Sequence, residues 1–278
     1  LAGHLPIPES NYLIEPRPAG TGPALVRATL EAARRDDAAT VLSMHADWSV
    51  RDASAFQAVA ATALATATTH NRLVTVGVVP SRPETGFGYI VPGQRLDSAA
   101  RSVNSFVEKP DAARALDLLA EGALWNSGLF AWRAEELREQ VRRCTPEIAP
   151  HLHLLDSGDI EGFYREVQDV SIDVGLFERS TAVAVVRGDF QWDDIGTWEA
   201  LARVRPRDRN GNVTHGAVTL VDCSDCIVWN DGPPMVLSGV RDLVAVHAND
   251  RTLVLERARA AHLKDTLNAL PAEVRELE

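Results

Sequence analysis

An α/β fold with a parallel sheet, followed by a smaller β unit, is the fold class that this sequence predicts. Segments with helical and strand-like spacing alternate as helix, strand, helix, strand over residues 24–79, and such alternation is typical of parallel strands in one sheet. From residue 210 onward, short apolar runs are separated by turn residues. We therefore expect an α/β domain at residues 1–209 and, at residues 210–278, a small β unit with a C-terminal helix.

The first part of the α/β domain has clear element boundaries. A helix is predicted over residues 24–33, with Pro23 in its first turn, where the missing N–H of proline costs nothing. A strand is predicted over residues 40–44, and Asp52 is the expected N-cap of an alanine-rich helix over residues 53–67. The other predicted elements of this domain are strands at residues 73–79, 89–91, 103–108, 129–132 and 182–186, and helices at residues 112–121, 134–144 and 198–204.

The region after residue 210 combines short strands with a final helix. An amphipathic helix is predicted over residues 257–277, and its apolar face offers a surface for a homodimer. No apolar stretch is long enough to span a bilayer, and no signal peptide is visible, so a membrane is not an expected partner. The strands are predicted at residues 217–221, 226–228, 235–236, 243–246 and 252–255.

The charge balance argues against one class of partner. The chain has 28 lysines and arginines against 39 acidic residues, which gives a formal net charge of -11. Such a field repels phosphate backbones, so we expect no binding to nucleic acid. A small phosphorylated ligand is still compatible with this charge, because a few local cations and a metal ion can hold it.

The three cysteines point to a reducing compartment. Cys144, Cys223 and Cys226 are too few, and odd in number, for a disulfide framework, so the cytoplasm is the expected location. Cys223 and Cys226 form one C-x-x-C pair, but a single pair supplies only half of a tetrahedral zinc shell. We therefore expect no zinc site.

Acidic residues follow two of the predicted strands. Asp47 lies beyond the strand at residues 40–44, where α/β folds bind ligands, and a carboxylate there could ligate a hard metal ion. Asp193 and Asp194 lie between a strand and a helix, and adjacent side chains on an extended backbone point apart, so we expect one of them to enter a site. The structural alternatives are an Asp that caps a turn and a solvated acidic turn.

Lys109 and two polar segments are further candidates for ligand binding. Only two of the 28 basic residues are lysines, so Lys109 suggests a need for a compact point charge, as for a phosphate. The glycines of residues 82–89 let the backbone approach a ligand, and the amide of Asn126 suits a pair of sugar hydroxyls. The structural alternatives are an exposed surface lysine, an ordinary glycine turn and a turn asparagine with satisfied hydrogen bonds.

The order of the motifs resembles that of a known family. The motifs are TGPA at residues 21–24, AD at 46–47, RPETGFGYI at 82–90, FVEKP at 106–110, WNSG at 125–128, SID at 171–173 and WDDIGTW at 192–198. Through them, residues 13–246 resemble the bacterial mannose-1-phosphate guanylyltransferases, which are also called GDP-mannose pyrophosphorylases. The resemblance implies a Rossmann-like α/β nucleotidyltransferase domain followed by a short left-handed β-helix-like unit.

The resemblance also implies a reaction and the residues that serve it. The substrates would be GTP and mannose 1-phosphate, and the products GDP-mannose and pyrophosphate. No enzyme nucleophile is needed, so catalysis consists of positioning and charge neutralisation. By motif, Asp47 and Asp194 would hold Mg²⁺, and Lys109 would neutralise the sugar phosphate. The residues carried over to the sugar pocket are Gly88, Tyr89, Glu108, Asn126 and Asp173, and those placed near the base are Thr21 and Pro23.

The sequence departs from the family pattern at several points. His45 and Trp48 surround Asp47 where the family has Pro-Ala-Asp-His, and Ala19 and Gly20 stand where it has Arg-Asn. The N-terminal glycine-rich loop that grips the triphosphate has no match, so we expect the natural protein to be longer at this end and this chain alone to be a poor catalyst.

Two alternative functions stay open at this point. One is a nucleotidylyltransferase for another pair of nucleotide and hexose 1-phosphate, such as a uridylyl- or thymidylyltransferase. The other is a non-catalytic nucleotide-sugar sensor or regulatory subunit, which the altered surroundings of Asp47 would allow.

Overall fold

The computed structural model describes residues 7–271. Its helices are α1 (Thr21–Arg35), α2 (Ala53–His70), α3 (Ala112–Ala120), α4 (Ala134–Cys144), α5 (Leu152–Ser157), α6 (Ile160–Glu166), α7 (Trp198–Val204) and α8 (Leu263–Asn268). Its strands are β1 (Thr40–Ser43), β2 (Trp48–Val50), β3 (Leu73–Val78), β4 (Tyr89–Arg95), β5 (Ala100–Val107), β6 (Leu124–Arg133), β7 (Val183–Gly188), β8 (Trp192–Asp194), β9 (Val213–His215), β10 (Val218–Val221), β11 (Ile227–Asn230), β12 (Met235–Ser238), β13 (Leu243–Ala248) and β14 (Arg251–Glu256). Short 3₁₀ turns lie at Glu9–Asn11, Ala149–His151 and Arg257–His262, and a π-helical turn lies at Asp173–Phe177.

The described residues divide into two compact units. The first contains the residues up to Ala46 together with Arg51–Phe190, and the second contains Asp47–Val50 and the residues from Gln191 onward. The division lies before residue 209, where the sequence suggests a domain boundary, because β8 and α7 group with the later strands.

The first unit is an α/β assembly, as the sequence predicts. Within the described residues its sheet has six strands, in the order β1-β6-β3-β7-β5-β4. Strands β3 and β7 are parallel, and β1 and β3 share one direction because each is antiparallel to β6. The sheet is therefore mixed, where the sequence alternation predicted parallel strands. The strands β4, β5 and β6 all follow residue 79, so the alternation over residues 24–79 gave no sign of them. Strands β4 and β5 form an antiparallel hairpin, which needs only a short connection and no crossover helix.

Aromatic side chains fill the core of the first unit. The rings of Phe130 and Phe177 are stacked with their centroids 4.3 Å apart, and Phe130 also stacks on Trp132. The Trp132 indole N–H donates to the Thr29 hydroxyl over 3.0 Å, so this buried polar group has a partner. Burying each such side chain stabilises the fold by roughly 1.5–3 kcal/mol. This packing fixes β6 and the π-helical turn, which both carry site residues.

The ends of α1 and α2 show how local sequence sets the helices. The helix α1 begins at Thr21, earlier than residue 24, with Pro23 buried in its first turn. The side chain of Asp52 accepts a hydrogen bond from the Ala55 N–H over 2.9 Å, so Asp52 is the N-cap of α2, as its sequence position predicts.

The second unit contains the small β unit that the short strands predict, with the β-helix-like coil that the family resemblance implies. Strands β9, β11 and β13 pair in parallel, and so do β10 and β12, so the chain returns repeatedly to the same two faces. Ile227 pairs with Val213 on one side and with Val244 on the other, which stacks apolar side chains in one buried column. Cys223 and Cys226 are buried in a neighbouring apolar cluster of the same unit.

The end of the chain is only partly described. The helix predicted at residues 257–277 is observed as a 3₁₀ turn at Arg257–His262 followed by α8, and residues 272–277 lie outside the described part. None of the helices in residues 7–271 has the length and apolar character that crossing a membrane requires.

Candidate functional site

Asn126 is the centre of a buried polar cluster in the first unit. Its Oδ1 accepts a hydrogen bond from Thr75 Oγ1 over 2.9 Å, and its Nδ2 donates to Asp173 Oδ1 over 2.9 Å. Its backbone N–H donates to the Gly88 carbonyl over 2.7 Å. Because Asn126 is only 9% exposed, these partners hold the amide in one orientation.

The position of Asn126 differs from the turn that the sequence suggested. The predicted strand at residues 129–132 begins earlier, at Leu124, so Asn126 lies within β6. The pairing of β3 with β6 shifts register between Thr75 and Gly77, and Gly128 has a φ of 76°. The β3–β6 ladder is therefore irregular where Asn126 lies, and ladder irregularities such as β-bulges re-aim side chains next to functional sites.

Asp173 and Glu108 supply carboxylates beside this amide. Burial raises the pKa of Asp173 above its ordinary value. Burial also raises the pKa of Glu108, and the charge of Asp173 adds to that rise. Asp173 is the first residue of the π-helical turn, a type of turn that frequently occurs at functional sites. The two carboxyl groups therefore lie in one low-dielectric environment and repel each other when charged.

Lys109 places a positive charge next to Glu108. Its Nζ lies 3.2 Å from Glu108 Oε1, and its side chain is 64% exposed, so the charge faces solvent as well as the carboxylate. Lys109 has a φ of 47°, in the left-handed region. The Glu108 N–H donates to Glu178 Oε1 over 2.7 Å, which secures the backbone just before this turn.

Gly88 leaves room for the Glu108 carboxylate. A Cβ atom added at Gly88 would lie 2.5 Å from Glu108 Oε2 and 3.2 Å from Asn126 Cβ. A side chain at this position would therefore displace one or both of its polar neighbours. The absence of a side chain lets the Gly88 backbone lie against Glu108 and Asn126. Close approach of this glycine to a ligand stays a prediction.

The loop that leads to Gly88 is held in place by its own side chains and by side chains of β4 and β6. The guanidinium of Arg82 lies 5.0 Å from the ring centre of Trp125, and its Nη2 lies 3.1 Å from Glu84 Oε2. The Glu84 N–H donates to the hydroxyl of Tyr89 over 2.8 Å. Tyr89 is fully buried, so its side chain supports this loop from the core. Its role in a sugar pocket stays a prediction.

The two residues expected near the base lie at the start of α1. The Thr21 hydroxyl accepts a hydrogen bond from the Ile172 N–H over 2.9 Å, which brings Thr21 next to the residue that precedes Asp173. The Gly22 N–H donates to the Val170 carbonyl over 3.0 Å, so the two segments are joined by backbone as well. Pro23 is buried. Contact of Thr21 and Pro23 with a base stays a prediction.

Sequence reasoning did not single out three residues that lie in or near this site. Thr75 lies inside an apolar strand, and Glu178 follows the π-helical turn, so local pattern singles out neither. The charge of His45 lowers the pKa of Asp173, against the larger opposing effect of burial, so His45 lies near the cluster. Its place beyond a strand end, like that of Asp47, was the one available signal.

Asp47 directly precedes β2, and Asp194 is the last residue of β8, the strand that pairs with β2 in the second unit. Trp48, the residue after Asp47, is paired with Asp194 in the β2–β8 ladder, and the Ile195 N–H donates to the Asp47 carbonyl over 3.2 Å. Asp193 binds Arg203 through both carboxylate oxygens at 2.8 Å, whereas Asp194 Oδ1 accepts from the Gly196 N–H over 2.8 Å. The adjacent carboxylates thus have different partners, as an extended backbone requires.

This pair has the donor chemistry that Mg²⁺ requires. Mg²⁺ prefers oxygen ligands and is usually held by one or two carboxylates together with substrate phosphates and water. Within residues 7–271, no group of three or more His, Cys, Asp or Glu side chains is arranged to hold a metal ion. The carboxylate of Asp194 in β8 and that of Asp47, just before β2, are therefore compatible with a magnesium ion that a phosphate substrate helps to bind.

Known proteins share both the sequence and the fold of this chain. A family model described as nucleotidyl transferase matches residues 4–211. The xanthan biosynthesis protein XanB of Xanthomonas campestris pv. campestris is 35% identical over 277 residues, which cover 96% of this chain and 58% of that protein. The mannose-1-phosphate guanylyltransferase of Klebsiella pneumoniae is 33% identical over 274 residues, with coverage of 94% and 58%.

A solved structure extends the similarity to three dimensions. The crystal structure described as mannose-1-phosphate geranyltransferase from Thermus thermophilus is 34% identical, with a TM-score of 0.84, over 92% of this chain and 76% of that one. The chain spans about 58% of the length of the curated relatives above.

Proposed function

Because the chain belongs to the nucleotidyl transferase family, we propose that the protein transfers GMP from GTP to mannose 1-phosphate, forming GDP-mannose and pyrophosphate. The observation that carries the proposal is the buried Asn126–Asp173 pair beside the Glu108–Lys109 pair in one unit. The first pair offers an amide and a carboxylate to sugar hydroxyls, and the second adds a cation for a phosphate. Relatives named mannose-1-phosphate guanylyltransferase support this choice of substrate.

The proposed chemistry needs positioning more than acid–base catalysis. An oxygen of the sugar phosphate attacks the α-phosphorus of GTP in line, while the bond from that phosphorus to the bridging oxygen of the β-phosphate breaks and pyrophosphate leaves. In this scheme Lys109 holds the sugar phosphate, and Glu108 and Asn126 hold the sugar hydroxyls. Thr21 and Pro23 are proposed to lie near the guanine base.

Asp47 and Asp194 are the proposed magnesium ligands. When bound, Mg²⁺ would neutralise the negative charge of the reacting phosphates. The hydrogen bond from the Gly196 N–H fixes one oxygen of Asp194, and the β2–β8 pairing keeps Asp47 beside it. The cytoplasm is the proposed location of the reaction, because Cys144, Cys223 and Cys226 are unpaired in the described part of the chain.

Parallel measurements of turnover and of ligand binding test this proposal. The intact protein is incubated with GTP, mannose 1-phosphate and Mg²⁺, and pyrophosphate and GDP-mannose are quantified. Binding of GDP-mannose is measured in parallel by calorimetry. Release of both products in equal amounts supports a guanylyltransferase. Tight binding of GDP-mannose without turnover would contradict it and favour a nucleotide-sugar sensor.

A further inference from the structure

We infer that Thr75 is a positioning residue for the sugar 1-phosphate, because its hydroxyl holds the Asn126 amide in the orientation that faces Asp173. The inference rests on the proposed function and names a determinant of substrate affinity that lies behind the site. Thr75 is a fully buried residue of β3, so it acts through Asn126 and does not touch the sugar itself.

The hydrogen bonds around Asn126 define its orientation. Two donors meet at Oδ1: the Thr75 hydroxyl at 2.9 Å and the Gly128 backbone N–H at 3.2 Å. A backbone N–H can only donate, so the oxygen end of the amide belongs on this side. The NH₂ end then faces Asp173, to which it donates over 2.9 Å. An NH₂ group has two hydrogens, so one remains for a sugar hydroxyl.

The opposite orientation of the amide would be unfavourable at both ends. Rotation by 180° about its terminal torsion would place the NH₂ group against the Gly128 N–H and the oxygen against the Asp173 carboxylate. The first contact would join two donors and the second two acceptors. Because terminal amide torsions have broad, roughly two-fold preferences, the hydrogen bonds determine which orientation prevails.

Thr75 supplies the shorter of the two bonds that Asn126 Oδ1 accepts. A hydroxyl can donate or accept, so Gly128 and Asp173 set the orientation of the amide, and the Thr75 bond holds the amide in place. Replacing it with valine removes the donor and keeps the branched shape, so Asn126 Oδ1 would retain only the 3.2 Å bond from Gly128. Water has little access to a fully buried side chain and would not replace the lost donor. The amide would then be held less firmly, and the sugar would meet a less ordered site.

Steady-state kinetics of matched threonine variants test this inference. We expect Thr75→Val to raise the KM for mannose 1-phosphate by about tenfold, as loss of one buried hydrogen bond would. The KM for GTP and kcat should change by less than about twofold. Thr75→Ser keeps the hydroxyl and should restore most of the affinity.

Thr29→Val is the matched control for a structural effect. Thr29 is also fully buried, and its hydroxyl also has one side-chain partner, the indole of Trp132, outside the Asn126 cluster. This variant loses one buried hydrogen bond as Thr75→Val does, so both should lower the melting temperature. Only Thr75→Val should change the KM for the sugar phosphate.

Several outcomes would overturn the inference. They are an unchanged KM for mannose 1-phosphate in Thr75→Val, an equal rise in Thr29→Val, or no recovery in Thr75→Ser. If Thr75→Val does not fold, Thr75→Ala compared with Thr75→Ser decides the same question. Failure of the proposed function is a separate result, since the wild-type protein would then prefer another sugar phosphate or show no turnover. If the wild type prefers another sugar phosphate, the KM values of the threonine variants are compared with that substrate. If it shows no turnover, the affinities of the same variants for mannose 1-phosphate are compared by calorimetric titration.

Discussion

At the scale of single residues, the carboxyl groups of the Asn126 cluster oppose the stability of the fold. Burial raises the pKa of Glu108 and of Asp173, so each carboxylate is less stable in the folded protein than in water. Sugar hydroxyls that donate to these groups would offset this cost when the ligand binds. This cost in stability is what the proposed role of the cluster in ligand binding would lead us to expect.

Removal of the Asp173 charge should increase stability and reduce activity. A carboxyl group whose pKa is raised by folding contributes stability that is fully present below its unfolded pKa and is lost as the pH rises through its folded pKa. We expect Asp173→Asn to have a larger free energy of unfolding than the wild type at pH 7, with the difference vanishing below about pH 4.

Urea denaturation at pH 7 and below about pH 4 measures the difference in the free energy of unfolding between the variant and the wild type. In a separate assay at pH 7, kcat/KM of the variant should be lower by at least about tenfold. A variant that is less stable than the wild type at pH 7, or a stability difference that does not depend on pH, would contradict the assignment of Asp173 as a destabilising charge.

Replacement of Lys109 should affect substrate affinity and leave stability unchanged. Its side chain is 64% exposed, and such ion pairs contribute about 0–1 kcal/mol to stability, so Lys109→Met should melt near the wild-type temperature. Loss of a charged partner for phosphate should raise the KM for mannose 1-phosphate by about 10- to 100-fold.

Arg165→Met is the control for Lys109→Met, because Arg165 is also an exposed cation paired with a neighbouring glutamate in the first unit. A similar change in KM for both variants would show that general charge, and not the place of Lys109, is responsible.

The sequence identified much of this cluster and missed a part of it. Glu108, Lys109 and Asn126 stood out because their residue types suit sugars and phosphates and because they occur in recognisable motifs. Thr75 did not, because a threonine in an apolar strand is typical of any buried sheet. Its partner Asn126 is far away in the sequence, so only the three-dimensional pairing of β3 with β6 reveals its role.

At the scale of secondary-structure elements, the strength of the local signal decided what could be predicted. The helix α4 was predicted at residues 134–144 and is observed at Ala134–Cys144, because one apolar face and a charged opposite face define it. The strand β6 was predicted only from residue 129, since residues 125–128 have the composition of a turn. Pairing with β3 and β4 imposes the strand conformation there, and a sequence window contains neither partner.

The glycine-rich loop gives a prediction at this scale. Gly88→Ala would place a Cβ atom 2.5 Å from Glu108 Oε2, so the Glu108 carboxylate must move. We expect the KM for mannose 1-phosphate to rise by about tenfold, with a change in the free energy of unfolding below about 1 kcal/mol, because the end of a flexible side chain can move aside.

Gly86→Ala is the matched control for Gly88→Ala. Its nearest added contact is an ordinary one, 3.5 Å to Glu84 Oε1. Calorimetric titration of both variants with mannose 1-phosphate compares them directly, and equal affinities would argue against close approach of Gly88 as the reason for the glycine.

At the scale of the whole molecule, distant segments of the chain contribute the two proposed magnesium ligands. The second unit takes Asp47–Val50 from the early part of the chain and pairs it with β8. The motifs placed Asp47 and Asp194 in one site only through the resemblance to a family. Spacing along the chain carries no such information, because strand pairing across this separation depends on the complete fold.

Substitution of Asp194 tests the magnesium assignment in the second unit. We expect Asp194→Ala to abolish Mg²⁺-dependent turnover and to leave the melting temperature within a few degrees of the wild type. Trp48 and Trp192 pack edge to face 6.3 Å apart in the same ladder, so their fluorescence should report binding of GTP with Mg²⁺ in the wild type and lose this response in the variant.

Asp189→Ala, which removes an exposed carboxylate elsewhere, serves as the control for Asp194→Ala. Turnover near the wild-type level in Asp194→Ala would show that the metal ion is held by other residues.

A measurement of substrate preference tests the central proposal most directly. The intact protein is assayed for pyrophosphate release with GTP, UTP and dTTP, each combined with mannose 1-phosphate and with glucose 1-phosphate. We predict that kcat/KM is highest for GTP with mannose 1-phosphate, by at least about tenfold over every other pair. A clear preference for UTP or dTTP, or for glucose 1-phosphate, would contradict the proposal that this protein makes GDP-mannose.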